Sequence, residues 1–233
     1  MFRRGALASL VVLAACGPGR DAAPIAIDTT AGAAARALTP IVVERTASRD
    51  MTGDGAPETF TVRATGASYD SLAISLEIRD GRGGALLHAA RWNSRNYFKY
   101  QPAGSDSTAG RERITRRQID RVLADSAFIA PRITTADGRS GPVVDTATVR
   151  YHLAELDWRR EHAIADTMPT PDEAQTQLGQ VRTSTPEERA RTEAVAAELR
   201  GRPTFTYYQG GELTNTIAWS DREHAFVRVF SCC

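Results

Sequence analysis

The chain has 233 residues, of which 42% are hydrophobic and 24% are charged, with 29 basic and 28 acidic side chains. This length and composition are sufficient for one sizeable domain with a packed core, or for two small ones. The near-neutral balance gives no broad electrostatic footprint for nucleic acid or for an anionic membrane face, so we expect no nucleic-acid partner. Three cysteines cannot build a framework of distant disulfides, so the core must depend on packing.

The first fifteen residues have the three parts of an export signal. Arg3 and Arg4 precede an apolar run at residues 6–15, and small residues lead into Cys16. A charged start, a short apolar centre and a small-residue exit are typical of a secretory signal peptide. The run is too short to cross a bilayer as a helix. We therefore expect residues 1–15 to be removed, which takes two cations from the chain and leaves a near-neutral mature protein.

Residues 13–16, which read Leu-Ala-Ala-Cys, resemble the lipobox of bacterial lipoproteins. In that family the chain is cut before the cysteine, whose thiol carries a diacylglyceryl group and whose new amine is acylated, as with palmitate. The resemblance implies a lipoprotein of the cell envelope, held at the membrane by lipidated Cys16. Gly17, and not Asp, follows the cysteine, which implies the outer membrane if the host has two membranes. An ordinary signal peptide with a chance cysteine is the alternative.

Residues 16–40 contain the lipidated Cys16 and a segment rich in Ala, Gly, Pro, Thr and Asp. Such a composition without a sustained hydrophobic period predicts a flexible tether. We expect residues 41–233 to form a single α+β domain, in which a helical middle segment separates an antiparallel β-meander at each end.

The first meander is predicted over residues 41–93. Short β-branched or alternating segments lie at 41–44, 60–64 and 72–79, and the last of these has its large apolar residues on one face. A glycine-rich turn at 80–84 allows residues 85–92 to return as the next strand.

The middle of the chain shows helical patterns. Apolar stripes predict helices in 112–129 and 145–165. Thr170 and Thr185 each precede Pro, with Glu three residues after the Thr, which predicts two further helix starts. The second of these helices should end at Gly201, in the left-handed conformation that favours glycine.

Strands are predicted again at 204–208, 213–219 and 225–230. They form either a second meander or strands that complete the first sheet. In both cases the fold class is α+β.

An Asp-rich loop at residues 50–58 is the candidate metal site. Asp50, Thr52, Asp54 and Glu58 place side-chain oxygens at its first, third, fifth and ninth positions, and Ala56 offers a carbonyl at the seventh. A hard cation such as Ca²⁺ takes six to eight oxygen ligands. The segment resembles the calcium loops of FG-GAP and VCBS-type repeats, which implies these five residues as ligands of a structural Ca²⁺ ion. A plain turn between strands is the alternative.

Three other patterns give weaker support for a functional site. Cys232 and Cys233 predict a vicinal disulfide, an intermolecular bridge or a soft-metal site, and an oxidising compartment favours the disulfide. His152 and Glu155 lack the usual zinc spacing, which favours solvated helix positions. The aromatic and basic residues at 91–100 either cover one end of the core or stack against a glycan.

No motif dictates a reaction. The sequence favours an exported, lipid-anchored envelope protein with a non-enzymatic binding or structural role, in which Ca²⁺ stiffens one loop. Its expected partners are the membrane, through the anchor, and an envelope protein or a glycan. The alternatives are an exported hydrolase, whose site would assemble from distant residues, and a thiol-based redox or metal protein that uses Cys232 and Cys233.

Overall fold

The computed structural model describes residues 39–129, 144–161 and 184–232. This part of the chain contains two four-stranded antiparallel sheets and three helices. The first sheet consists of β1 (Ile41–Arg49), β2 (Glu58–Gly66), β3 (Ala73–Arg79) and β4 (Leu86–Asn93). The second consists of β5 (Phe128–Ile129), β6 (Thr204–Gly210), β7 (Leu213–Ser220) and β8 (Ala225–Cys232). The helices are α1 (Thr108–Val122), α2 (Thr146–Glu161) and α3 (Pro186–Leu199). The predicted α+β class, with a meander at each end and helices in the middle, is confirmed.

The first sheet is a meander in the order β1-β2-β3-β4 with one buried face. Phe60 and Val62 on β2 are fully buried and lie opposite Ile78 and Leu76 on β3, whereas Arg63, directly after Val62, is exposed. Because successive side chains of a strand point to opposite faces, this alternation assigns one face to the core.

The second sheet, in the order β5-β6-β7-β8, is covered on both faces. Phe205 and Ile217 belong to the core shared with the first sheet, whereas Ala218 and Val227 belong to a second core formed with α2 and α3. β7 is therefore buried at six consecutive positions, 215–220. Its lack of alternation follows from this double coverage.

Aromatic rings join the two sheets. The Phe60 ring centroid lies 5.0 Å from those of Phe128 and Phe205 and 6.5 Å from that of Phe226. The rings meet edge to face, an arrangement that adds to the stabilisation from burial alone. The short strand β5 thus contributes the half-buried Phe128 to the contacts between the two sheets.

The predicted start of α3 is confirmed. The Glu188 amide donates to the Thr185 hydroxyl at 3.2 Å, and the Glu188 carboxylate accepts from the Thr185 amide at 2.8 Å. This reciprocal capping box satisfies two backbone donors that the first helical turn leaves without partners. Pro186 follows at the first helical position, where its missing N–H costs little.

An ionic network fastens α2 and α3 to the β7–β8 turn. The Arg191 guanidinium on α3 lies 2.6 Å from the Asp157 carboxylate on α2 and 2.6 Å from the Glu223 carboxylate in the turn. Arg160 approaches the same Glu223 carboxylate at 3.2 Å. The hydrogen bond from Arg191 is the main reason why the pKa of Glu223 is lowered.

Two details differ from the sequence predictions. The helical pattern over 112–129 ends early, because α1 stops at Val122 and Phe128 pairs with Phe205 in the second sheet. The predicted left-handed end at Gly201 is also wrong. The α3 cap is Arg200, with a right-handed φ of −61°, and the helix closes when the Gly201 amide donates to the Glu198 carbonyl at 3.3 Å.

Several predictions fall outside the described residues. These are the signal peptide, almost all of the tether, the helix start at Thr170 and the last part of the helical pattern at 145–165. Among the described residues, no helix combines the length and the apolar character that crossing a bilayer requires.

Candidate functional site

The loop between β1 and β2 brings three carboxylates together. Oxygen atoms of Asp50, Asp54 and Glu58 all lie within 4.8 Å of one another, so this triad could hold a metal ion. Asp50 and Asp54 are exposed, whereas Glu58 is the first residue of β2 and is fully buried. The triad thus has one fixed, buried member and two members that face solvent.

Hydrogen bonds from the loop itself hold the Glu58 carboxylate. The Met51 amide donates to Oε2 at 2.7 Å, the Thr52 amide to Oε2 at 3.3 Å, and the Thr52 hydroxyl to Oε1 at 2.8 Å. A buried carboxylate is costly unless it is hydrogen-bonded, and these three donors offset that cost without a counter-ion. The predicted ligand Thr52 is therefore in direct contact with the triad.

The two exposed carboxylates shape the turn. Asp50 accepts from the amides of Gly53 at 2.8 Å and Gly55 at 3.1 Å, and Asp54 accepts from the Ala56 amide at 2.8 Å. Gly53 and Gly55 have φ of 80° and 82°, a left-handed conformation that side chains with a Cβ rarely adopt. The contact of Ala56 with the triad is made by its amide, and the role of its carbonyl as a ligand stays a prediction.

Arg82, from the turn between β3 and β4, supplies positive charge at one side of the loop. Its Nε lies 3.3 Å from Asp54 Oδ2, and its Nη2 donates to the Asp54 carbonyl at 2.7 Å. The adjoining turn is in close contact with the loop, because a Cβ on Gly81 would lie 2.3 Å from the Pro57 carbonyl oxygen. A second guanidinium adjoins the loop, because a Cβ on Gly53 would lie 3.9 Å from Arg202 Nη1. Two guanidinium groups against three carboxylates still leave an excess of negative charge that suits a hard cation.

A second polar cluster lies where β4, α2 and β8 meet. We name it the His152 cluster, and its members are His88, His152, Glu155, Arg159, Tyr207 and Arg228. The Nδ1 atom of His152 accepts from the Arg228 backbone N–H at 3.1 Å, which satisfies a donor on the outer edge of the sheet. This interaction requires a neutral imidazole with its proton on Nε2.

Burial and nearby cations disfavour protonation of both histidines in this cluster. Burial, followed by the charges of Arg228 and other cluster members, holds the pKa of His152 well below its usual value. The same causes lower the pKa of His88 to about 3, and burial raises that of Tyr207 to about 12. His88 Nε2 lies 3.3 Å from the Tyr207 hydroxyl. Both imidazoles are therefore neutral, and the hydrogen bond that His152 accepts comes from the backbone of Arg228.

Glu155 is the anion of the His152 cluster. It pairs with Arg159 one turn along α2, and its Oε2 lies 4.0 Å from an Arg228 nitrogen. The prediction that His152 and Glu155 are solvated helix positions is wrong, because their exposed fractions are only 3% and 6%. The sequence carried no signal for their burial, because β8 lies more than sixty residues along the chain.

The remaining predicted sites are placed as follows. Cys16 and Cys233 lie outside the described residues, and Cys232 is exposed at the end of β8, so the lipidation and the disulfide stay predictions. In the aromatic segment, the Trp92 Nε1–H donates to the Tyr97 hydroxyl at 2.8 Å and both rings are buried in the core. Tyr100 of the same segment is 59% exposed.

An open cleft of about 420 Å³ adjoins this aromatic segment. Polar side chains and one ring line it: Asp70, Arg95, Phe98, Gln101, Ser105, Asp106 and Arg111. Comparison of the chain with protein-family models, with curated proteins and with solved structures finds no match.

Proposed function

We propose that this chain is an exported protein of the bacterial cell envelope, anchored by lipid on Cys16, with a non-enzymatic binding or structural role. The observation that carries the proposal is the sequence Leu-Ala-Ala-Cys at 13–16, placed directly after two arginines and a short apolar run. A lipid on Cys16 makes the protein a peripheral membrane resident without a membrane-spanning segment.

The chain between anchor and fold is consistent with this arrangement. The first strand begins at Ile41, so 24 residues separate it from Cys16. A flexible linker of this length has a root-mean-square span of roughly 27 Å. That span lifts the folded part clear of the lipid surface but keeps it near. Gly17 after the lipidated cysteine favours the outer membrane in a host with two membranes.

The Asp50–Glu58 loop is proposed to bind Ca²⁺ as a structural ion. Support comes from the convergence of Asp50, Asp54 and Glu58 within 4.8 Å and from the contact of Thr52 with Glu58. An ion here would relieve repulsion among the carboxylates and tie the β1–β2 connection together. Its affinity is expected in the weak range of extracellular calcium modules, because Arg82 and backbone amides already compete for the same oxygens.

A non-enzymatic role accords with how the buried polar groups are used. Glu58 organises a turn, and His152 closes the edge of a sheet. The open cleft between Arg95 and Arg111 combines a partly exposed ring of Phe98 with polar side chains, which suits a glycan partner. An envelope protein is the other partner class that we retain.

The decisive experiment is metabolic labelling with an alkyne analogue of palmitate in a bacterial host. We expect label in the wild-type protein and none in Cys16→Ser, with a matching loss of the mature protein from the membrane fraction. Cys232→Ser is the matched control, because it removes an exposed thiol of the same chain and should keep the label. Equal labelling of the wild-type protein and Cys16→Ser would refute the anchor.

A further inference from the structure

The arginines of α1 fall into two groups. Arg111 and Arg116 are engaged by acidic side chains, at 2.5 Å and 2.8 Å. Arg113, Arg117 and Arg121 are exposed, and their guanidinium groups make no ion pair or hydrogen bond with another described residue. The second group thus keeps its full capacity to bind anions.

These three arginines form a stripe along the exposed side of the helix. They are spaced four residues apart, so at 100° per residue they lie within a sector of about 80° and extend over about 12 Å. Three of the four buried residues of α1, Thr115, Ile119 and Val122, lie on the opposite side, and the fourth is Gly110 in the first helical turn. We call Arg113, Arg117 and Arg121 the arginine stripe.

Without a bound anion the stripe destabilises the helix, because like charges four residues apart on a helix repel one another. The neighbouring acids form their hydrogen bonds with other arginines. Glu112 is bound by Arg116, and Asp120 accepts from Arg45 Nε at 2.8 Å. A near-neutral protein therefore presents a local row of three unpaired cations, which attracts an anionic surface.

The stripe lies close to the point where the chain enters the first sheet. Asp120, which adjoins Arg117 and Arg121 on α1, is bonded to Arg45 on β1. Arg45 is four residues after Ile41, or about 13 Å along an extended strand. The segment that leads back to Cys16 therefore joins the fold near the arginine stripe.

We propose that the arginine stripe binds the phosphate headgroups of anionic lipids in the membrane that holds the anchor, and so fixes the orientation of the folded part. This inference rests on the proposed lipidation of Cys16. Guanidinium groups bind phosphate through two parallel N–H donors, which suits a row of headgroups. Each arginine near an anionic surface contributes roughly a fivefold factor to the membrane-bound population, and salt weakens it.

The test uses the full lipidated protein on vesicles of phosphatidylcholine, with or without phosphatidylglycerol. Arginines are modified with a phenylglyoxal reagent, and the extent of modification at each position is read by mass spectrometry. We expect the reactivity of Arg113, Arg117 and Arg121 to fall by at least roughly fivefold on the anionic vesicles. Reactivity should return in high salt. Arg91 and Arg200, which are also exposed, serve as internal controls and should react equally on both vesicles.

A pair of variants tests whether the stripe acts as a unit. Arg117→Glu should abolish the protection of Arg113 and Arg121, whereas Arg91→Glu, with the same change in charge, should preserve it. Circular dichroism and thermal unfolding check that both variants keep the wild-type fold.

Flotation separates the two proposals. If the protein fails to float with either type of vesicle, the lipid anchor is refuted. If it floats with both and the three arginines react equally on both, the anchor stands and the membrane-binding stripe is refuted. Protection on both vesicles that persists in high salt would also refute it, because anionic lipid would then not be the cause.

Discussion

The Asp50–Glu58 loop and the His152 cluster are both built around a buried glutamate, but they balance its charge in different ways. Glu58 accepts from three donors of its own loop, at most seven residues away. Glu155 faces the guanidinium groups of Arg159 and Arg228, and the cluster joins atoms 76 and 119 positions apart in the chain. Neutral local donors leave the loop negative and receptive to a cation, whereas two arginines, one of them from the distant strand β8, leave the cluster with no such excess.

The largest effect is expected from removal of Glu155. Glu155→Ala leaves Arg159 and Arg228 largely buried without their anion, and breaking such a pair costs about 4 kcal/mol of unfolding free energy. The Nε atoms of both arginines are already buried without a hydrogen-bond partner among the described groups, so they have no ready substitute. Urea unfolding measures the loss. The control is Asp120→Ala, whose exposed pair with Arg45 should contribute less than about 1 kcal/mol. Equal losses would show that burial of the pair is unimportant.

A smaller loss is expected in the loop. Glu58→Ala removes the acceptor of two amides and a hydroxyl, which should lower the unfolding free energy by about 2 to 3 kcal/mol. Amide hydrogen exchange should show the loss of protection at Met51 and Thr52. Asp54→Ala, which removes an exposed carboxylate of the same triad, is the matched control and should cost less than half as much. A loss of protection that spreads to β8 would contradict the local character of the loop.

The third prediction concerns pH. Because the pKa of folded His152 is well below its unfolded value near 6.5, the unfolded state binds more protons and stability falls as pH decreases below 6.5. Between pH 7.5 and 5, His88, with a folded pKa of about 3, should account for a loss of about 2 kcal/mol, and His152 acts in the same direction.

Urea unfolding as a function of pH checks this. His152→Asn, whose Oδ1 takes the place of Nδ1 as the acceptor for the Arg228 amide, should flatten the dependence between pH 7.5 and 5. The exposed His224 provides the control, since His224→Asn should leave the curve unchanged. A wild-type stability that is constant over this range would show that the cluster histidines are not held neutral.

The smallest expected effect is that of calcium. At millimolar Ca²⁺ and an affinity in the weak extracellular range, binding to the folded state adds about 1 kcal/mol. Calorimetry and the melting temperature report it. Asp50→Asn should abolish both signals, whereas Asp106→Asn, at an exposed acid outside the triad, should keep them. Absence of heat and of any shift in the wild-type protein would mean that the loop is held by its own hydrogen bonds alone.

The structural features that could be predicted from sequence are those that depend on local patterns. The alternation in β2, the capping box of Thr185 and Glu188, and the convergence of Asp50, Asp54 and Glu58 all depend on residues within a few positions of each other. The arginine stripe belongs to the same kind, because its four-residue spacing within a helical pattern is visible in the sequence. The near-neutral charge of the whole chain obscured it.

Two of the predictions failed because a distant segment decided the outcome. The helical pattern over 112–129 was interrupted because Phe128 finds a strand partner in Phe205, 77 positions away. His152 and Glu155 were placed in solvent because nothing near them in sequence indicates that β8 will lie against their helix.

The sequence by itself determined the fold class, the positions of most strands and helices to within a few residues, and the chemistry of the Asp-rich loop, because side-chain alternation, helix capping and turn geometry are set by near neighbours. Only the tertiary structure decided that the late strands form a separate sheet, that helices bury its second face, and that His152 is buried against its edge. These features depend on which surfaces pack together, and burial of that kind is a property of the whole assembled chain.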